Sequence, residues 1–438
     1  MKMPPDIAPH FEYRGGRLHV ENVALDALAA RFGTPAYVYS KAALIDAYAA
    51  YSNAATAYAA RGGAMVCYAV KVNSNLAILN LFASLGAGFD IVSGGELARV
   101  IAAGADPRRV IFSGVGKSQA EMRAALAAEI CCFNVESLSE LQRLSAVAGE
   151  ARRIARISLR VNPDVDAKTH PYISTGLAEN KFGIAWGDAR AAYREAMSLP
   201  HLKVIGIDCH IGSQLLDDTP LLAALDRLIE LVDLLDEDGV EIEHIDLGGG
   251  LGIHYGNESA SAKPPAPGDY LVRVFARIDA WRASRYRGAP IALMFEPGRS
   301  LVGKAGVLIT AVEVLKTGAT KNFAIVDAAM NDLIRPALYD AWHEVVPLVE
   351  ISDAPERIWD LVGPICESGD WLARGRKLKL VEGDLVAFLS AGAYAMTMAS
   401  NYNTRPKAIE LLVDGDEVHV IRERESIASL FAGERLIP

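Results

Sequence analysis

Cysteine is scarce, five residues in 438, and no two of them form a CxxC pair. An odd count without paired spacing excludes a disulfide framework and gives no zinc signature, so no metal is expected. No apolar run reaches the roughly 18 residues a membrane span needs. The opening MKMPPDIAPHFEYRGG lacks the apolar stretch of a signal peptide. Basic blocks and stripes are missing too, and the formal charge is −10, so nucleic acid is not an expected partner. These absences leave a cytosolic protein, off the membrane, with small-molecule ligands.

What is present suits a large folded enzyme. Hydrophobic residues make up 51% and charged residues 22%, the balance of a globular chain. At 438 residues the chain exceeds what one core usually serves, so a large and a small domain are expected. Cys67, Cys131, Cys132 and Cys209 lie in apolar runs and read as small hydrophobes. Cys366 stands apart, in GPICESGD, among glycines and acids.

Between residues 40 and 300 short apolar runs alternate with alanine- and leucine-rich stretches of helical period. The runs are MVCYAVK, GFDIVS, RVIFSG, ICCFNV, RISLRVN, VIGIDCHIG, HIDLGGG and ALMFEPG. Eight such units match a (β/α)₈ TIM barrel, with a doubly wound open sheet as the competing α/β reading. A barrel gathers its chemistry at the C-terminal ends of the strands. The runs end in Lys71, Ser93, Ser113, Asn162, His210, Gly248 to Gly250 and Glu296.

After residue 300 the texture is β-rich with Gly and Asp turns, which predicts a mostly antiparallel domain. YRGGRLHVENV reads as a hairpin joining that sheet. The expected division is therefore a segment 1–38 belonging with the β domain, a barrel over 39–300 and the β domain over 301–438. NESASAKPPAPGD, residues 257–269, reads as a surface loop.

A lysine ending a core strand either snorkels to water or serves as an amine nucleophile for Schiff-base chemistry. Lys71 poses that question, and its company favours the second answer. The glycines of DLGGGLG let backbone N–H groups approach an anion, at the position where barrels bind phosphate. Glu296 is either a structural ion-pair partner or the carboxylate that keeps a pyridine nitrogen protonated. His210, in CHIGSQ, is placed to lie flat on a cofactor ring, and Ser213 to donate to a phosphate.

YAVKVN, GFDIVSGGEL, THPYISTGLAENKFGI, HIGSQ, GGGLGI, EPGRSLV, IRPALY, CESGD and GAYAMTMASNYN occur in this order along nearly the whole chain. The set resembles the diaminopimelate decarboxylases, in the alanine racemase-like, fold-type III class of pyridoxal-phosphate enzymes. The resemblance implies a barrel plus β-domain chain, a homodimer with shared active sites, and pyridoxal 5'-phosphate as cofactor. It assigns Lys71 to hold the cofactor covalently, Glu296 to its ring nitrogen and His210 to its ring face. Ser213, Gly248, Gly249, Gly250, Gly298, Arg299 and Tyr394 complete the cofactor-binding set. Arg299, Arg335, Tyr339, Glu367 and Tyr394 become substrate ligands, and Cys366 a proton donor that arrives with Glu367 from the partner subunit. The chain departs from the family's pattern at Val72, where alanine is usual, and slightly at Ala395 and Thr397.

The implied reaction is decarboxylation of meso-2,6-diaminopimelate to L-lysine, the last step of lysine biosynthesis. Its rivals are a sister decarboxylase of ornithine, lysine or carboxynorspermidine, a non-catalytic vitamin B6 carrier, and a Schiff-base aldolase without cofactor.

Overall fold

The computed structural model describes residues 7–166, 181–258, 264–284, 290–350 and 353–438. Most of the THPYISTGLAENKFGI motif and the middle of NESASAKPPAPGD lie outside the described residues. The chain divides into two compact units, one of 48–252 and 261–300, the other of 1–47, 253–260 and 301–438.

In the first unit eight parallel strands form a closed ring: β1 (Ala64–Ala69), β2 (Gly88–Ile91), β3 (Val110–Phe112), β4 (Cys132–Val135), β5 (Ala155–Asn162), β6 (Leu202–Asp208), β7 (His244–Asp246) and β8 (Ala292–Phe295). Each pairs with the next, and β8 returns to β1 through Leu293 opposite Ala64. The open-sheet alternative is thereby excluded. Most residues of these strands are buried on both faces, because helices cover the outside and side chains fill the inside. Cys67, Ile111, Cys132, Ile205 and Met294 form one cluster of that filling, which is why these thiols behave as hydrophobes.

Three of the barrel helices start with the same device, Ser-x-x-Glu. Ser93, Ser118 and Ser137 each accept a hydrogen bond from the backbone N–H of the glutamate three residues on, at the heads of Gly94–Ala102, Gln119–Ala127 and Leu138–Glu150. At Ser118 the glutamate side chain also returns to the cap N–H, completing a capping box. Ser93 is therefore a helix cap, and its place among the chemical strand ends is corrected. Ser113 accepts from Asn134 at 3.2 Å inside the barrel, and Asn162 accepts the Asp164 N–H at 3.0 Å in the turn after β5.

The second unit is built on a mostly antiparallel sheet. Its order is Trp371–Lys379, Glu356–Val362, Asn322–Val326, Gly306–Thr317, Ala36–Ser40, Ile409–Asp414, Glu417–Arg422. The hairpin expected in YRGGRLHVENV exists, as Phe11–Arg14 against Arg17–Val20. It does not join that sheet: with Val23–Ala24 it forms a separate three-stranded sheet. The strand that does enter is Ala36–Ser40, which pairs antiparallel with Gly306–Thr317 and parallel with Ile409–Asp414. Both sheets share one core, in which Leu18 and Val20 of the hairpin meet Val38, Ile309, Leu389 and Leu411. Each such fully buried aliphatic side chain stabilises by about 1.5–3 kcal/mol.

Candidate active site

Lys71 sits in a short 3-10 turn, Val70–Val72, directly after β1. Its Nζ pairs with Asp90 Oδ2 at 2.7 Å; the lysine side chain is 34% exposed and the aspartate fully buried. Asp90 belongs to β2, so the backbone pairing of β1 with β2 brings the two groups together.

The loops after β6, β7 and β8 interlock through their main chains. Gly248 accepts from the Glu296 N–H at 2.7 Å, and the Gly250 carbonyl accepts from Leu215 N–H at 2.9 Å. Side chains are excluded here by close approach: a Cβ on Gly249 would lie 2.2 Å from the Glu296 carbonyl oxygen. Gly250, at φ +119°, adopts a backbone that L side chains rarely take. Gly298 leaves the space that Val72 fills, since a Cβ there would come 2.3 Å from Val72 Cγ2.

His210 follows β6 and accepts the Gly249 N–H on Nδ1 at 3.2 Å, so its proton resides on Nε2. Burial, and then the nearby cations Arg160 and Lys71, hold its pKa well below the usual range and the ring neutral. Ser213, on the same loop, accepts from Arg299 Nη2 at 3.1 Å, and Arg299 is buried.

Glu296, just past β8, is buried, and its Oε1 has no hydrogen-bond partner. Asp208, Asp246 and Glu296 close the ends of β6, β7 and β8, and each brings an oxygen within 4.8 Å of the others. Burial is the main cause that raises all three carboxyls; repulsion from Asp246 adds to it at Asp208 and Glu296, and repulsion from Asp90 at Asp246, where hydrogen bonds from Gly248 and Glu296 oppose the rise. Asp246 is pushed up to about 7 and Glu296 well above the carboxylate range. Beside Asp208, in register on the neighbouring strand β5, Arg160 is buried and pairs with Glu136 at 3.2 Å.

Sequence reasoning missed Asp90, Glu136, Arg160, Asp208 and Asp246. For all but Glu136, which follows β4, the signal was a charged residue in an otherwise apolar barrel strand, as in GFDIVS, RISLRVN, VIGID and HID. Strand alternation turns such a residue toward the interior.

Arg335, Tyr339, Cys366, Glu367 and Tyr394 belong to the other unit. Arg335 is buried at the first residue of the helix Arg335–Tyr339, and Tyr339 is half-buried. Cys366 and Glu367 are exposed on the loop between Glu356–Val362 and Trp371–Lys379. Asp370 pins that loop by accepting the N–H groups of Ile365 at 2.9 Å and Met330 at 2.6 Å. The neighbouring Glu367 carboxylate raises the pKa of Tyr402. Tyr394 is half-buried with φ +53°.

Residues 46–303 match the family model of the pyridoxal-dependent decarboxylase, pyridoxal binding domain. The chain is 56% identical over 428 residues to a diaminopimelate decarboxylase of Pseudomonas aeruginosa, covering 98% of this chain and 99% of that one. A diaminopimelate decarboxylase of Vibrio cholerae is 53% identical over 430 residues, with the same coverage. Among solved structures, the diaminopimelate decarboxylase of M. jannaschii in co-complex with L-lysine is 36% identical, with a TM-score of 0.92 over 98% of both chains. Fold, strand-end chemistry and full-length likeness converge, and the chain belongs to the diaminopimelate decarboxylase family of pyridoxal-dependent decarboxylases.

Proposed function

We infer that the protein decarboxylates meso-2,6-diaminopimelate to L-lysine and CO₂ with pyridoxal phosphate as cofactor. The observation that carries this reading is identity above half of all positions along the full chain to diaminopimelate decarboxylases. The L-lysine in the M. jannaschii structure is the product the reading requires.

The barrel residues fit the cofactor. The unpartnered, buried Glu296 Oε1 is the acid a ring nitrogen needs, and the glycine turn offers backbone to a phosphate without side chains in the way. Lys71 would hold the cofactor, with His210, Ser213, Gly248, Gly249, Gly250, Gly298, Arg299 and Tyr394 around it. When bound, pyridoxal phosphate supplies an electron-withdrawing ring that stabilises negative charge at the substrate α-carbon.

The chain's own groups do the rest. Glu296, whose carboxyl burial pushes upward, would hydrogen-bond to the ring nitrogen and hold a proton there. His210, kept neutral, adds a flat face without a repelling charge. Arg299, Arg335 and Tyr339 bind carboxylate, Glu367 binds the distal ammonium, and the exposed Cys366 thiol delivers a proton to the α-carbon. A substrate with two amino-acid heads calls for this extra pair of charged ligands, because an unpaired buried charge costs several kcal/mol.

The chain is proposed to act as a homodimer in which Cys366 and Glu367 serve the partner's site. No helix among the described residues is long and apolar enough to cross a membrane, which agrees with action in the cytoplasm. The deciding experiment compares CO₂ release from diaminopimelate, lysine, ornithine and carboxynorspermidine. Diaminopimelate is expected to lead by at least about 100-fold in kcat/KM. Preference for another substrate overturns the reading.

A further inference from the structure

His343 is fully buried in the β-rich unit, and both ring nitrogens are committed. Nδ1 lies 2.9 Å from the Leu389 carbonyl oxygen, and Nε2 lies 2.8 Å from Arg335 Nη1. A carbonyl only accepts and a guanidinium only donates. Nδ1 must therefore carry the proton while Nε2 offers its lone pair, which fixes one neutral tautomer. The Tyr255 ring supports the same guanidinium: its centroid is 4.6 Å from Arg335 Cζ, and it meets His343 edge-on at 5.3 Å. The imidazole is itself anchored through its backbone, since Arg376 Nη2 donates to the His343 carbonyl at 2.9 Å.

We propose that His343 is a positioning residue for substrate recognition, a neutral acceptor that orients the Arg335 guanidinium toward a substrate carboxylate. The proposal rests on the reading of Arg335 as a carboxylate ligand. Its physical point is the charge of the orienting group. An aspartate or glutamate in this place would also hold the guanidinium, but it would neutralise it and compete with the incoming carboxylate. A neutral imidazole directs the fork and leaves its positive charge for the substrate.

Steady-state kinetics with diaminopimelate test this in three variants, each checked for folding by circular dichroism. His343→Asn still reaches the Leu389 carbonyl but not Arg335. It is expected to raise KM about tenfold with kcat within about twofold. His343→Gln returns an amide oxygen to the Nε2 position and is expected to restore KM to within about threefold of the parent. If the asparagine variant does not fold, His343→Leu takes its place with the same expectation. A KM within twofold of the parent in the variant lacking the acceptor overturns the proposal, as does equal loss in the glutamine variant. Arg335→Lys separates this from the underlying reading. If it raises KM while His343→Asn does not, only the positioning role falls. If Arg335→Lys leaves KM unchanged, the carboxylate assignment falls first and the proposal with it.

Discussion

The ends of β1 and β3 each carry a lysine, and the two surroundings differ in kind. Lys117 is 1% exposed and donates to the carbonyls of Gly114 and Asn134 and to Glu140 Oε1, at 2.8, 2.7 and 2.7 Å. Those acceptors use all three N–H bonds of an ammonium, so Lys117 is locked into the barrel wall. Lys71 is 34% exposed and pairs with an aspartate that is itself wholly buried. Access from the solvent side, together with a partner that stores charge in the interior, distinguishes a lysine poised for chemistry from a structural one. Burial of the lysine is not the criterion.

The sharpest way to break that contrast is to remove each ammonium. Lys71→Ala is expected to lower kcat by about 1,000-fold or more, and to lower the melting temperature too, because Asp90 is left buried without its cation. Lys117→Met should also destabilise, by about 3–5 kcal/mol because Glu140 is left buried and unpaired, but with kcat and KM within about twofold. Urea denaturation and CO₂ release measured on both variants decide it. Loss of activity in a stably folded Lys117→Met would erase the distinction.

Smaller effects sharpen the roles of the other groups assigned to the site. Glu296→Gln keeps the shape but not the transferable proton, so kcat should fall by about 100-fold. The companion test is cofactor affinity of the unloaded protein, which should weaken as well. For Cys366→Ser, which exchanges the proposed thiol proton donor for a hydroxyl, a fall in kcat of about tenfold to fiftyfold is expected.

The smallest effect concerns stability and pH. Burial pushes Asp246 up to about 7, so the folded state keeps a proton that the unfolded chain releases above about pH 4. The contribution of this group to stability is fully present at low pH and is lost as pH rises through about 7. Asp246→Asn has no proton to lose. Its melting temperature should match the parent's near pH 5 and exceed it by about 3 °C at pH 8, read by thermal scanning of unloaded protein.

The eight barrel strands were legible because parallel strands covered on both faces read as short continuous apolar runs. Lys71, His210, the glycines and Glu296 were legible because they follow those runs. The interior acids were not: attention to strand ends passes over Asp90, whose importance comes from a neighbour on another strand. The hairpin near the start shows the same limit. Its alternation is local, but the choice of partner is not, and Ala36–Ser40 finds its place only through pairing with residues 306–309 and 409–413. Ser93 misled for a related reason, since a serine at a strand end is equally the start of the next helix.

The Val72 methyl that occupies the space beside Gly298 makes these two positions share one allotment of volume. Alanine after the reactive lysine removes the 2.3 Å approach and leaves contacts at 3.1 Å to Ala69 Cβ and 3.3 Å to the Cβ at position 72, which a methyl at the glycine can meet with a shift of a few tenths of an ångström. In a library that varies both sites, the two residues should be recovered as a correlated pair: Gly298→Ala is expected to survive selection together with Val72→Ala and to be lost alone. Drift away from glycine in a loop from the far end of the barrel sequence is thus permitted only when the residue next to the lysine shrinks in step with it.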